Sequence, residues 1–203
     1  MTATIDYYVS LNSPWTHLGA ARIEAMTARH GAALRVVPVD FRDVIFPASG
    51  GLPLPKRSPQ RQAYRMQELR RWRDHLGIPI VLTPRHAPFD ETFAAACVIA
   101  ARETIGETPA LALAHRILKA VWEEERDCAD RSVLAQLIAE AAMDAPALMS
   151  TAEDPRWAEM RQADSRAALA RGVFGAPSYV IGDEIFWGQD RLEFVARYLA
   201  RGD

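Results

Sequence analysis

Strand-forming sequence occurs at the two ends of this chain, and residues 59–171 between them have none. Near the start, Ile5, Tyr7 and Val9 alternate with Asp6 and Tyr8, which predicts a strand with one more apolar face. Asn12-Ser13-Pro14 breaks the alternation and opens a helix over about 14–29. Proline suits a first helical turn, where its missing N–H costs nothing. Gly31 ends that helix, and Leu34 to Val39 reads as a second strand. Strand, helix and strand of these lengths form a βαβ unit, whose two strands run parallel. Near the other end, Ser178 to Ile181 and Glu184 to Trp187 flank Gly182-Asp183, a two-residue hairpin signal. A last helix is expected over about 190–201, burying Leu192, Val195 and Leu199.

The middle reads differently. Phe46 to Ser58, with Pro47, Gly50, Gly51, Pro53 and Pro55, reads as a loop longer than a compact domain keeps without function. From 59 to 171 the sequence is alanine-rich and helical in pattern. Leu111, Ala114, His115, Leu118 and Val121 take the spacing of one buried helical face, and Val133, Leu134, Leu137, Ile138 and Ala141 that of another. The order βαβ…ββα is the thioredoxin arrangement, an α/β fold with a large all-helical domain inserted in its middle. The expected division is a thioredoxin-like domain from 1–58 and 172–203, and an inserted helical domain over 59–171.

Composition narrows the partners. The chain is 49% hydrophobic and 25% charged, which excludes a disordered or collagen-like protein. Its 24 basic and 26 acidic side chains nearly cancel, so no strong field draws it to nucleic acid or an anionic membrane. No apolar run approaches the ~20 residues that span a bilayer. Met1 to Asp6 lacks the basic start and apolar stretch of a secretory signal, and a cytoplasmic location is the expectation. Cys97 and Cys128 stand apart in the helical stretch and read as structural, and the five histidines take no metal-binding spacing.

Three places have the residues for chemistry. Ser13-Pro14-Trp15-Thr16 joins the first strand to the first helix, where a thioredoxin fold keeps a C-x-x-C redox pair. A helix N-terminus there favours a thiolate. With no cysteine at either position, the site is suited to stabilising a thiolate that belongs to another molecule. Capping of the helix by Ser13 is an equal alternative. Gly172 to Ser178 precedes the third strand, and Ala176–Pro177 is expected to be cis, against an ordinary trans proline at a strand start. Phe186-Trp187-Gly188-Gln189-Asp190-Arg191 leads into the last helix, where Gln189 and Asp190 serve either as caps or as ligands for amino and carboxylate groups. His17, one turn after Ser13, reads as an acid–base group or, equally, as a helix-surface or partly buried histidine, and His115 as a core residue. Trp15, Trp122 and Trp187 are candidates for an aromatic pocket or for the core.

These segments, with Ala120-Val121-Trp122-Glu123-Glu124-Glu125-Arg126-Asp127, resemble the 2-hydroxychromene-2-carboxylate isomerase family, which belongs with the kappa-class glutathione transferases and the DsbA-type oxidoreductases. The resemblance runs from end to end. It implies a glutathione-dependent isomerase that interconverts a 2-hydroxychromene-2-carboxylate and its ring-opened trans-benzylidenepyruvate in aromatic catabolism, working as a homodimer. It further implies that Ser13 stabilises the glutathione thiolate. Ala176, before Pro177, would pair with the cysteinyl backbone, and Gln189 and Asp190 would hold the γ-glutamyl end. Two positions depart from the family pattern. Gly51 stands where the family has asparagine and offers no side chain, and Arg61 stands where it has lysine. Rival readings are a kappa-like transferase, a non-catalytic glutathione- or peptide-binding module and, last, a disulfide oxidoreductase.

Overall fold

The computed structural model describes residues 3–201, so Met1 and Thr2 of the stretch read for a targeting signal lie outside it. Strand β1, Thr4–Val9, leads through helix α1, Pro14–His30, to strand β2, Ala33–Pro38. The two strands pair in parallel, Tyr7 opposite Val36. At the other end, β3, Ser178–Ile181, and β4, Glu184–Trp187, form the expected hairpin, and β3 lies antiparallel to β1 with Tyr179 opposite Tyr7. The sheet order is β2-β1-β3-β4. Both ends of the chain therefore meet in one sheet, with β1 and β3 at its centre.

The alternation along each central strand divides its side chains between two cores. Ile5, Tyr7, Val9, Val36, Tyr179 and Ile181 face α1 and the inserted helices. Tyr8, Val37 and Val180 face the other way, against Ala168, Phe41 and Ile45. The expectation of one apolar face on β1 is corrected here, because Tyr8 is also buried. A sheet covered on both sides needs apolar residues at successive positions.

The inserted helices are α3, Pro59–Leu76; α4, Thr92–Thr104; α5, Glu107–Trp122; α6, Arg131–Glu140; α7, Ala145–Ala152; and α8, Arg156–Ala170. A short helix α2, Phe46–Ser49, follows a π-helical turn at Phe41–Ile45, and a 3₁₀ turn spans Leu54–Lys56. The expected Phe46–Ser58 loop is thus partly helical. Asp40 starts this run by accepting a hydrogen bond from the Asp43 N–H at 2.9 Å. On α5 the buried face centres on Leu113, Ala114, Ile117 and Leu118, while Leu111 is only partly buried. His115 packs edge-on against the buried Tyr7 ring at 5.8 Å, with its side chain 11% exposed, while its Nδ1 bonds Glu24 of α1. The chain closes with a 3₁₀ turn, Gln189–Arg191, and α9, Leu192–Arg201, which buries Leu192 and Val195 and leaves Leu199 partly covered. No helix among the described residues is long and apolar enough to cross a membrane.

Candidate active site

Ser13 stands at the N-terminus of α1, where the first backbone N–H groups lack helical partners. Its Oγ accepts a hydrogen bond from the Thr16 N–H at 3.2 Å, so the capping role is realised. The same hydroxyl donates across to the Ala176 carbonyl at 3.4 Å, a long bond. Ser13 is half-buried and meets the second candidate segment across the sheet end. Ala176–Pro177 is cis, as expected, and so is Ala87–Pro88, which the sequence reading passed over. The Pro177 carbonyl accepts from the Gly188 N–H at 2.9 Å, which joins the second segment to the third.

Gly175 explains why Trp187 can lie over this turn. A Cβ at position 175 would come within 2.3 Å of the Trp187 Nε1, so only glycine admits the indole at this distance. Trp187 is 51% exposed and packs against Phe174, ring centroids 4.7 Å apart. It forms one wall of a cavity of about 540 Å3, within the range of small-molecule sites. Trp15, Ala176, Gln189, Asp190 and Arg61 also line this cavity, bringing together most of the residues singled out in the sequence. Ser13 borders it through Ala176 rather than lining it. Trp122, by contrast, is buried in the core.

The two adjacent residues of the last motif differ in what they leave free. The Gln189 Oε1 accepts from Arg22 Nη1 at 2.5 Å, and the Gln189 carbonyl accepts from the same nitrogen at 3.2 Å. Arg22 of α1 therefore holds the turn in place, and its role was not read from the sequence. Asp190 keeps an exposed carboxylate 3.2 Å from Arg191. Behind Ser13, Asn12 exchanges two hydrogen bonds with the Phe89 backbone, at 2.9 and 3.0 Å. The Asn12 N–H also donates to Glu91 at 3.0 Å, and Arg161 of α8 closes the group at 2.7 Å from Glu91. Burial raises the Glu91 carboxyl even though Arg161, Ser10 and Asn12 pull it down.

The opposite wall of the cavity belongs to α3 and the residue before its cap. Arg57, Arg61, Tyr64, Arg65, Glu68 and Trp72 recur at helical spacing, three cations and two aromatics with one acid on a single face. Burial and neighbouring Arg57 push the Arg65 guanidinium down to about 10, still cationic at neutral pH. Gly51 is not among the lining residues. A Cβ there would meet Phe46 Cδ1 at 2.3 Å, so the Phe46 ring fills the space that a side chain at position 51 would need.

The other residues considered lie outside the cavity. His17 is buried, with Nε2 2.9 Å from Glu123, and belongs to the packing of α1 on α5. Burial lowers its pKa against the pull of Glu123. Cys97 and Cys128 are buried free thiols, pushed up to about 12 by burial, which suits a structural role.

The model of the DSBA-like thioredoxin domain matches residues 4–200. This chain belongs to the DsbA-like thioredoxin domain family. Within that family it is 30% identical to a 2-hydroxychromene-2-carboxylate isomerase of Sphingobium xenophagum, over 98% of this chain and 99% of the relative. A solved 2-hydroxychromene-2-carboxylate isomerase superposes with a TM-score of 0.84 at 25% identity, covering 98% of this chain and 95% of that one. The cytosolic disulfide reductase DsbM of Pseudomonas aeruginosa, solved with GSH, has the same fold: TM-score 0.64 at 23% identity, over 96% of this chain and 99% of that one. This DsbA-like chain has serine and threonine where a redox member would have two cysteines.

Proposed function

We propose that the protein is a glutathione-dependent isomerase, acting on a 2-hydroxychromene-2-carboxylate and its ring-opened trans-benzylidenepyruvate. The observation that carries this reading is the Ser13 hydroxyl at the N-terminus of α1, donating weakly at 3.4 Å to Ala176 beside an aromatic, cationic cavity. The names of the relatives and the GSH-bound neighbour support it.

The residues present fit glutathione. A donor held by so long a bond is readily turned to a sulfur, and the cavity offers both a carboxylate and cations to a zwitterionic peptide. Glutathione, when bound, supplies a thiol whose ionised form adds reversibly to an activated double bond. The task of Ser13 is to donate its hydroxyl to that sulfur, with the α1 dipole favouring the negative form. A free thiol has a pKa of ~8.5, and lowering it by two units takes roughly 2.7 kcal/mol. The backbone of Ala176 beside Pro177 pairs with the cysteinyl unit as an added strand would. Asp190 takes the γ-glutamyl ammonium. Gln189, its side-chain oxygen already committed to Arg22, has its amide N–H groups left for the neighbouring carboxylate. Arg61 meets the other carboxylate with a planar fork.

The test is the thiolate absorbance of bound glutathione against pH, for the wild type and Ser13→Ala. Losing one hydrogen bond to a charged group costs about 1.5–3 kcal/mol, so the thiol pKa rises by roughly one to two units and the neutral-pH rate falls. Superimposable titrations would leave Ser13 a helix cap alone. Glutathione must also be conserved in turnover; its stoichiometric consumption would favour a transferase instead.

A further inference from the structure

We propose that Arg65 holds the carboxylate of the aromatic substrate, in a subsite separate from the one for glutathione. The inference rests on the glutathione-dependent reading above. It begins with a surplus of positive charge. Arg61 and Arg65 are four residues apart on α3, with Arg57 one turn upstream, and all three line the same cavity. Like charges at this spacing repel, so the row destabilises the helix that bears it unless something anionic lies against it.

The protein's own acids do not serve. Among the described residues no carboxylate lies within 4.0 Å of Arg57, Arg61 or Arg65. Glu68 of the same wall is paired with Arg71, and Asp190 opposite with Arg191. Glutathione has two carboxylates and an ammonium group, and Asp190 answers the ammonium. In the reading above Gln189 and Arg61 take those two carboxylates, so Arg57 and Arg65 are left over.

Arg65 is the one best placed for a third carboxylate. Arg57 spends its Nε on the Leu52 carbonyl at 2.8 Å, and Arg61 is exposed at the rim. Arg65 is half-buried, and its only side-chain contact of this kind among the described residues is the Met66 sulfur at 3.9 Å. Its planar fork is therefore open, and a partly desolvated guanidinium binds a carboxylate more strongly than an exposed one. Trp15, Trp72 and Trp187 supply flat walls in the same cavity. A carboxylate at Arg65 with a ring between indoles describes an aromatic keto acid, and a neutral aromatic compound would leave the cation uncompensated.

The experiment is a calorimetric titration with benzoylformate, an aromatic keto acid with no alkene for conjugate addition, and with its methyl ester as the uncharged control. The protein is first saturated with S-methylglutathione, whose own affinity is measured in each variant. Arg65→Met is expected to bind S-methylglutathione as the wild type does and to lose at least tenfold in affinity for benzoylformate. The ester should bind both proteins alike, and Arg65→Lys should recover part of the loss. Unchanged benzoylformate affinity in Arg65→Met, or an equal loss for acid and ester, would overturn the assignment. A loss of S-methylglutathione affinity in that variant would also overturn it, by moving Arg65 into the peptide subsite. Failure of the wild type to bind S-methylglutathione would sink the glutathione reading, while the acid and ester titrations of the protein without it still decide Arg65.

Discussion

Phe46 occupies the room that a side chain at position 51 would need. Placing asparagine there, as the resemblance would have it, therefore meets the ring. Gly51→Asn alone should cost about 1–3 kcal/mol through overpacking against the ring, read as a lower denaturant midpoint. Adding Phe46→Ala should relieve the clash, and calorimetry should then show whether glutathione binds more tightly. His17 makes a different kind of prediction. Its folded pKa lies below the ordinary 6.5 because burial outweighs Glu123, with His115 and Lys119 adding repulsion. Well above pH 6.5 the histidine is neutral in both states and its contribution is fully present. As pH falls from 6.5 towards the depressed value, the unfolded chain takes up a proton that the folded one resists, and stability declines. Urea midpoints at pH 7.5 and 5.5 should show a smaller acid loss in His17→Gln than in the wild type. Equal losses would place the effect elsewhere.

At the scale of elements, α3 is the unusual helix. It begins at a capping serine, Ser58, and runs for 18 residues, yet Leu69 is its one buried residue, with Met66, Trp72 and Leu76 partly covered. Most of its stability must come from this narrow seam, because its arginine face repels itself. Leu69→Ala is expected to release the helix, at a cost of about 2–5 kcal/mol if the whole molecule feels the loss. Hydrogen exchange should rise along α3 well before α5, whose buried face is continuous. Matched exchange in both helices would show that α3 opens only with the whole protein. By contrast α1 is anchored at both ends of its role: Ser13 caps it at the site and Arg22 reaches from its middle to the Gln189 turn.

Across the whole molecule, the site is held by contacts between parts far apart in sequence. Glu91, ahead of α4, is bonded by Ser10 and Asn12 of the loop after β1 and by Arg161 of α8. The side chains of Glu91 and Arg161 are 13% and 7% exposed, so this is a buried ion pair. Such a pair contributes little net, but breaking it leaves a buried charge alone. Arg161→Met should destabilise by about 3–5 kcal/mol, measured as a fall in unfolding free energy, and Arg161→Met with Glu91→Gln should recover much of it. A double variant no more stable than the single would mean that the pair does not couple these segments. The core crosses the same junction: Ile5 and Tyr7 of the sheet share one cluster with Ile99, Leu113 and Ile117 of the inserted helices.

Short-range signals are enough for most of the elements and for the three segments that meet beside the cavity. Period-two alternation marks β1, Gly182-Asp183 marks the β3–β4 hairpin, and Ser13-Pro14 marks the start of α1, because each depends on residues within a few positions of one another. The family motif points to Ala176, Gln189 and Asp190 for the same reason, since it is a local string. What the sequence alone could not decide is which side chains share a space. Arg65 and Trp72 lie seven residues apart on one helical face, and only folding sets that face opposite Trp187. His115 sits at an apolar spacing, and only the approach of α1 gives its Nδ1 the partner Glu24. Gly51 is an absence in sequence and a filled space in the fold, because the Phe46 ring comes from a turn whose path depends on Asp40 and the packing of α8. A cavity is the room left between elements, and that room is set by how their faces pack rather than by any one segment.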